Sequence, residues 1–173
     1  MENLNYRVAI VGLDFSKMDE IILSYLPRLF KAMPLERVVF VHVAKELELP
    51  EELIEKYPDL IAPVDEGIIA DIEKKVAPVF KDSSVKYDIV VREGAPTEEF
   101  LRVAKIKNAD LIIMGRKKDL EGSGLISGHI VRKCMSSMLF ITEDFPQQFD
   151  NILVPIDFSK HSSKALQLAN SMS

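Results

Sequence analysis

The chain is poor in the residues that build metal and redox sites. It has one cysteine, Cys134, three histidines and no tryptophan in 173 residues. A single cysteine excludes an intramolecular disulfide, and no Cys/His spacing suits zinc, so no metal site is expected. Nowhere do about 18 apolar residues run on uninterrupted, which excludes a membrane-spanning helix. The polar opening (Glu2, Asn3, Asn5, Arg7) does not resemble a secretory leader. Basic residues are not in excess either: 22 Lys and Arg stand against 27 Asp and Glu, for a net charge of −5. That balance gives no footprint for nucleic acid or an anionic membrane, so neither is expected as a partner. Together these absences fit a reducing, cytoplasmic compartment.

What the chain does have is a repeat. Val-Gly-Leu-Asp-Phe-Ser-Lys runs from Val11 to Lys17, and Val-Pro-Ile-Asp-Phe-Ser-Lys runs from Val154 to Lys160. In each copy an apolar run, Arg7 to Leu13 or Asn151 to Ile156, reads as a buried strand, and Ser-Lys opens a helix-like pattern. The first copy is followed by enough chain for a domain. Residues 1–146 are therefore read as one complete domain, and residues 147–173 as a linker with the first strand and helix of a second copy. At 47% apolar residues, the chain can bury one good core.

Apolar runs alternate with helical patterns in strict order, the signature of βαβ units around a parallel sheet covered on both faces. Strands are expected at Arg7 to Leu13, Arg37 to Val43, Lys86 to Val91, Leu111 to Gly115 and Met138 to Thr142. A helix from Lys17 to Ala32 carries apolar residues at Ile21, Ile22, Tyr25, Leu26, Leu29 and Phe30, with Ser16 as N-cap, Pro27 inside it and Pro34 beyond its end. Others are expected from Glu51 to Tyr57 (short), Asp65 to Phe80, Pro96 to Lys107 and Gly128 to Ser137. Phe145 to Asp150 reads as a linker.

In such a sheet a ligand sits at the carboxyl ends of the strands, where strand order reverses. Asp14 and Gly115 both fall at such ends. After Gly115 come Arg116, Lys117 and Lys118, then Gly122, Gly124 and Gly128 near a helix start. Glycines can turn backbone N–H groups inward as an anion nest beside these cations. The same segment also reads as a solvated turn whose glycines serve geometry alone, and composition does not separate the two. His42 reads as a hydrogen-bonded strand-end or core histidine, and Cys134 as a small buried apolar residue. His161 belongs to the second copy. Asp110 enters its strand from the end opposite Asp14, so the two are not an acid/base pair, and no nucleophile with a base is visible.

The strand and aspartate at Val8 to Ser16, "LIIMG" at Leu111 to Gly115, and "GLISGHIVRKCMSSMLFIT" at Gly124 to Thr142 resemble the universal stress protein family, in its tandem-domain form. The resemblance implies an α/β fold, a five-stranded parallel sheet of order 3-2-1-4-5 with helices on both faces, of the adenine-nucleotide-binding, Rossmann-like kind. It also implies a stress-response module, not an enzyme, that binds ATP or a related nucleotide. Asp14 and the backbone of Val41 would then lie near adenine and ribose, with Gly115 and Gly128 lining the phosphates. The family's motif is Gly, two residues, Gly, nine residues, Gly, then Ser or Thr. Here Gly115 and Gly128 match, while Lys118 holds the second glycine's place and His129 the hydroxyl residue's. Lys118 cannot take a positive φ as readily as glycine, although its ammonium could meet phosphate as a point charge, and Gly122 and Gly124 could rebuild the nest in another register. The alternative is a module that works without nucleotide, through dimerisation. In either case a homodimer is expected, formed through strand five at the sheet edge and the C-terminal stub.

Overall fold

The computed structural model describes residues 6–44, 64–117, 123–144 and 151–172. Five strands form one parallel sheet: β1 (Val8–Gly12), β2 (Arg37–Ala44), β3 (Lys86–Glu93), β4 (Leu111–Arg116) and β5 (Ser137–Thr142). The order is β3-β2-β1-β4-β5, as expected, with the reversal beside β1. Ile10 pairs with Val39 on one side and with Ile112 on the other.

Because side chains alternate across a strand, this register sends Ile10, Val39 and Ile112 to one face and their neighbours Ala9, Val11, Val38, Phe40, Leu111 and Ile113 to the other. The first face is covered by α3 (Pro96–Ile106) and α4 (Ser123–Lys133), which contribute Phe100, Val103 and Ile130. The second is covered by α1 (Lys17–Ala32) and α2 (Val64–Phe80), which contribute Ile22, Leu26, Leu29, Ile72 and Val76. Burial on both faces explains why the central strands read as unbroken apolar runs.

Local signals set the start of α1. The Ser16 hydroxyl accepts the Met18 N–H at 3.2 Å, and Met33, just before Pro34, closes the helix by donating its N–H to the Leu29 carbonyl. Pro27 lies on the exposed side of the helix, while Leu26 and Leu29 beside it are fully buried, so packing holds the helix through the break.

Two expectations need correction. The last helix of the domain starts at Ser123 and ends at Lys133, so Gly124 and Gly128 lie inside it and not in the loop before it. Helix propensity is a weak prior, and burying the Ile130 face overrides the cost of two glycines, about 1 kcal/mol each. Second, residues 151–157 form no strand, although the helix α5 (Lys160–Met172) follows. β1 has its backbone groups met by β2 and β4, whereas this segment pairs with neither, and Leu153 stands 94% exposed. Only part of α5 reaches the domain, with Leu168 packing against the α1 side of the core. The short helix expected at Glu51 to Tyr57 and the linker at Phe145 to Asp150 lie outside the described residues.

Candidate functional site at the strand carboxyl ends

The site begins with the turn that leaves β1. Phe15 adopts φ 60°, a left-handed conformation that a bulky residue occupies only when its surroundings enforce it. Asp19, in the first turn of α1, ties this turn down. Its carboxylate accepts the Asp14 N–H at 3.1 Å and the Phe15 N–H at 2.9 Å, and Lys75 Nζ of α2 approaches it to 4.0 Å. Asp19 is 2% exposed. Burial pushes its carboxyl above the ordinary 3.8, against the lowering effect of those N–H groups and Lys75.

Fixing this turn aims Asp14 outward. Burial works to raise its carboxyl, but the Ser16 hydroxyl and N–H, and then the Lys117 ammonium, outweigh it and leave the group below 3.8. Asp14 Oδ1 accepts the Ser16 N–H at 3.0 Å, and Lys117 Nζ lies 3.6 Å from Oδ2. Lys117 follows the last residue of β4, so this pair bridges the ends of the two strands between which the order reverses.

His42, near the end of β2, forms the next wall. Its Nδ1 lies 2.9 Å from the Leu13 carbonyl oxygen, which can only accept, so Nδ1 carries the proton. The Phe15 ring meets the imidazole edge-on at 4.7 Å between centroids, and Lys75 Nζ stands 5.3 Å from the Phe15 ring centroid. His42 is thus the hydrogen-bonded strand-end histidine that its sequence setting suggests.

Between these groups opens a cavity of about 410 Å³. Asp14, Val41 and Gly115 all line it, as do His42, Lys117 and Asp19. The rest of the wall is mainly apolar: Met18 and Ile22 from α1, Val43 and Ala44 from β2, Pro96 and Phe100 from α3, Met114 from β4 and Ile130 from α4. A cavity of this size with an apolar wall and a few convergent polar groups suits a small molecule with a flat apolar part and a polar end. The Val41 carbonyl already accepts the Leu13 N–H at 3.0 Å, so one of its lone pairs is taken.

Gly115 has a packing reason to lack a side chain. A Cβ there would come within 2.9 Å of Met18 Cβ, so the glycine lets the start of α1 lie against β4. Gly128 has no such constraint, since an added Cβ would meet nothing within 4 Å. Neither Gly128 nor His129 lines the cavity, and His129 is exposed on α4. Lys118 and Gly122 lie outside the described residues. Arg116 is exposed and does not face the cavity, whereas Lys117 does. Cys134 is half-buried beside the α3 and α4 core, less enclosed than its sequence setting suggests. Asp110 accepts the Arg7 and Val8 N–H groups at 2.8 and 2.9 Å, at the amino end of the sheet and away from the cavity.

Sequence reasoning missed Asp19, Met18, Phe100, Met114 and Ile130. An acidic residue one turn past a capping serine could have flagged Asp19 as a partner for the backbone before the helix. The apolar wall residues come from separate elements and carry no local signal. Among the described residues no cluster of His, Cys, Asp and Glu could hold a metal ion, and no helix is long and apolar enough to cross a membrane.

Comparison with known proteins agrees with this fold. The hypothetical protein PH0823 has a similar solved structure, at 26% identity and a TM-score of 0.63, covering 80% of this chain and 97% of its own. A universal stress protein from Archaeoglobus fulgidus DSM 4304 is similar at 21% identity and a TM-score of 0.72; the match covers 98% of this chain but 63% of that longer one. A universal stress protein solved in complex with cAMP is similar in fold at 15% identity and a TM-score of 0.56, covering 79% of this chain and 97% of that one. No curated protein matches. The universal stress protein family matches over residues 5–139, from before β1 into β5, and the chain belongs to that family.

Proposed function

We propose that the protein is a non-enzymatic stress-response module that binds an adenine nucleotide, ATP or a related one, in the cavity at the carboxyl ends of β1 and β4. The observation that carries this reading is the cavity itself: about 410 Å³ at the point where strand order reverses, with a mainly apolar wall and with Asp14 and Lys117 among its polar lining. The apolar wall suits a purine ring, Asp14 can accept from sugar hydroxyls, and Lys117 offers a cation to phosphate. A similar fold solved with cAMP supports the same ligand class. Titration of the purified chain with ATP and AMP, with and without magnesium, and mass spectrometry of any co-purified ligand test it. Saturable binding at sub-millimolar concentration is expected. Absence of binding at millimolar ATP would overturn it.

A second reading has its own support. His129 stands exposed and off the cavity, and Gly128 lies within a helix, so the phosphate half of the family motif is not assembled among the described residues. On this reading the crevice is empty in function and the protein acts through dimerisation. The tandem arrangement belongs to this proposal as well. Phe158 repeats the φ of Phe15, at 62° against 60°, and Asp157 accepts the Ser159 N–H as Asp14 accepts that of Ser16. The match of nearly the whole chain to part of the longer A. fulgidus protein fits residues 151–172 as the opening of a second such fold.

A further inference from the structure

The nucleotide reading leaves open what recognises the ligand's charge, because neither His129 nor Arg116 faces the cavity. Lys117 does, at 37% side-chain exposure, and in this structure it faces a carboxylate. The Lys117 Nζ to Asp14 Oδ2 distance of 3.6 Å is too long for a strong hydrogen bond, and Asp14 is 59% exposed, so the pair is loose and solvent-screened. Asp14 does not depend on it, since Oδ1 is already fixed by the Ser16 N–H.

We propose that Lys117 makes the cavity selective for a phosphorylated nucleoside over the nucleoside itself, by exchanging Asp14 for the ligand's phosphate. This inference rests on the nucleotide reading above and adds the group that discriminates. The exchange trades a long ion pair for a shorter charge-assisted hydrogen bond to a phosphate oxygen. The freed Asp14 oxygen then accepts from a sugar hydroxyl, so neither charge is left without a partner. A ligand must bring both groups to do this. Adenosine satisfies Asp14 but gives Lys117 no anion. Inorganic phosphate can take Lys117 but brings no apolar part for the wall and meets the Asp14 carboxylate at close range. The same chemistry explains how the site could select phosphate without the motif's hydroxyl residue: a single ammonium from the β4 end replaces it.

The test is calorimetric titration of the full chain with adenosine, AMP and inorganic phosphate at low and moderate salt. AMP should bind about tenfold more tightly than adenosine, the factor a single charge-assisted contact provides. That preference should shrink with salt, and inorganic phosphate alone should not bind. Lys117→Gln should abolish the preference for AMP over adenosine, Lys117→Arg should retain it, and Arg116→Gln should have no effect beyond a small salt-dependent one. Equal affinities for adenosine and AMP in the unmodified protein, or a preference that survives Lys117→Gln, would overturn the role of Lys117 and leave the nucleotide reading standing. Failure of adenosine, AMP and ATP alike to bind would overturn the nucleotide reading, and this inference with it.

Discussion

Asp19 and Ser162 hold the same place in the two copies of the repeat, one turn past the capping serine, and they are the buried polar side chains among the described residues. In the first copy the Asp19 carboxylate reaches back to the Asp14 and Phe15 N–H groups. In the second, the Ser162 N–H donates to the Ser159 hydroxyl and the Ser162 hydroxyl to the Ser159 carbonyl. The turn is the same and the lock is different, so only the first copy places a buried carboxylate beside its cavity-facing aspartate.

That carboxylate gives stability a defined pH dependence. Burial raises the Asp19 folded-state value above 3.8, so the folded protein holds this proton more tightly than the unfolded chain does. Its contribution is fully present below the unfolded value and is lost as pH rises through the raised folded one. Urea unfolding of the unmodified protein and Asp19→Asn between pH 3 and 6 should therefore show the former losing stability relative to the variant as pH rises. A relative gain over that window would mean that the N–H groups and Lys75 outweigh burial.

Two glycines should respond in opposite directions. Gly115→Ala forces a Cβ to within 2.9 Å of Met18 Cβ, an atom fixed to the α1 backbone, and should cost about 1–3 kcal/mol by denaturant unfolding. Gly128→Ala meets nothing within 4 Å inside a helix and should stabilise the unliganded protein by about 0.5–1 kcal/mol. If Gly128→Ala destabilises instead, the α4 backbone is under a constraint that its surroundings do not display.

Asp110 offers a contrast with Asp14. Removing its carboxylate in Asp110→Ala takes the acceptor from the Arg7 and Val8 N–H groups at the start of the central strand, and should cost about 0.5–1.5 kcal/mol. Nucleotide affinity should not change, because Asp110 sits at the opposite end of the sheet from the cavity. A drop in affinity at full occupancy of the folded state would contradict that separation.

The self-association expected from the sequence can be tested at the sheet edges. β3 presents exposed Lys86, Arg92 and Glu93, charges that discourage strand addition, whereas β5 presents half-buried Met138, Leu139 and Phe140. We expect a dimer through β5, strengthened by the exposed Leu153 and Phe158 of the C-terminal segment. Light scattering of the full chain beside a version ending at Phe145 checks this. Two monomers would reject the dimer, and two equal dimers would clear the segment of a role.

The strands were legible because β1, β2 and β4 are buried on both faces and read as unbroken apolar runs, while their order was legible only through the family resemblance. The α1 boundaries were legible because Ser16, Met33 and Pro34 supply local stop and start chemistry. The start of α4 was not, since its glycines read as a loop and only the burial of Ile130 against the sheet reveals the helix. For the cavity, Asp14 and Gly115 were found at strand ends that topology brings together, and Val41 through the family resemblance. Asp19 was missed because an acid in the first turn of a helix ordinarily faces water and the helix dipole. The strand expected at Asn151 to Ile156 failed for the reverse reason: the segment resembles β1 in sequence but pairs with no strand of the described sheet.

The bridge between Asp14 and Lys117 joins an early part of the chain to a late one. On a ribosome, the first strand, its turn and the capped helix emerge long before β4 does, so the cavity does not exist until most of the domain has been synthesised. A molecule bound across those two residues would touch only chains that have finished assembling the middle of the sheet. Occupancy would then stabilise only the finished state, by mass action.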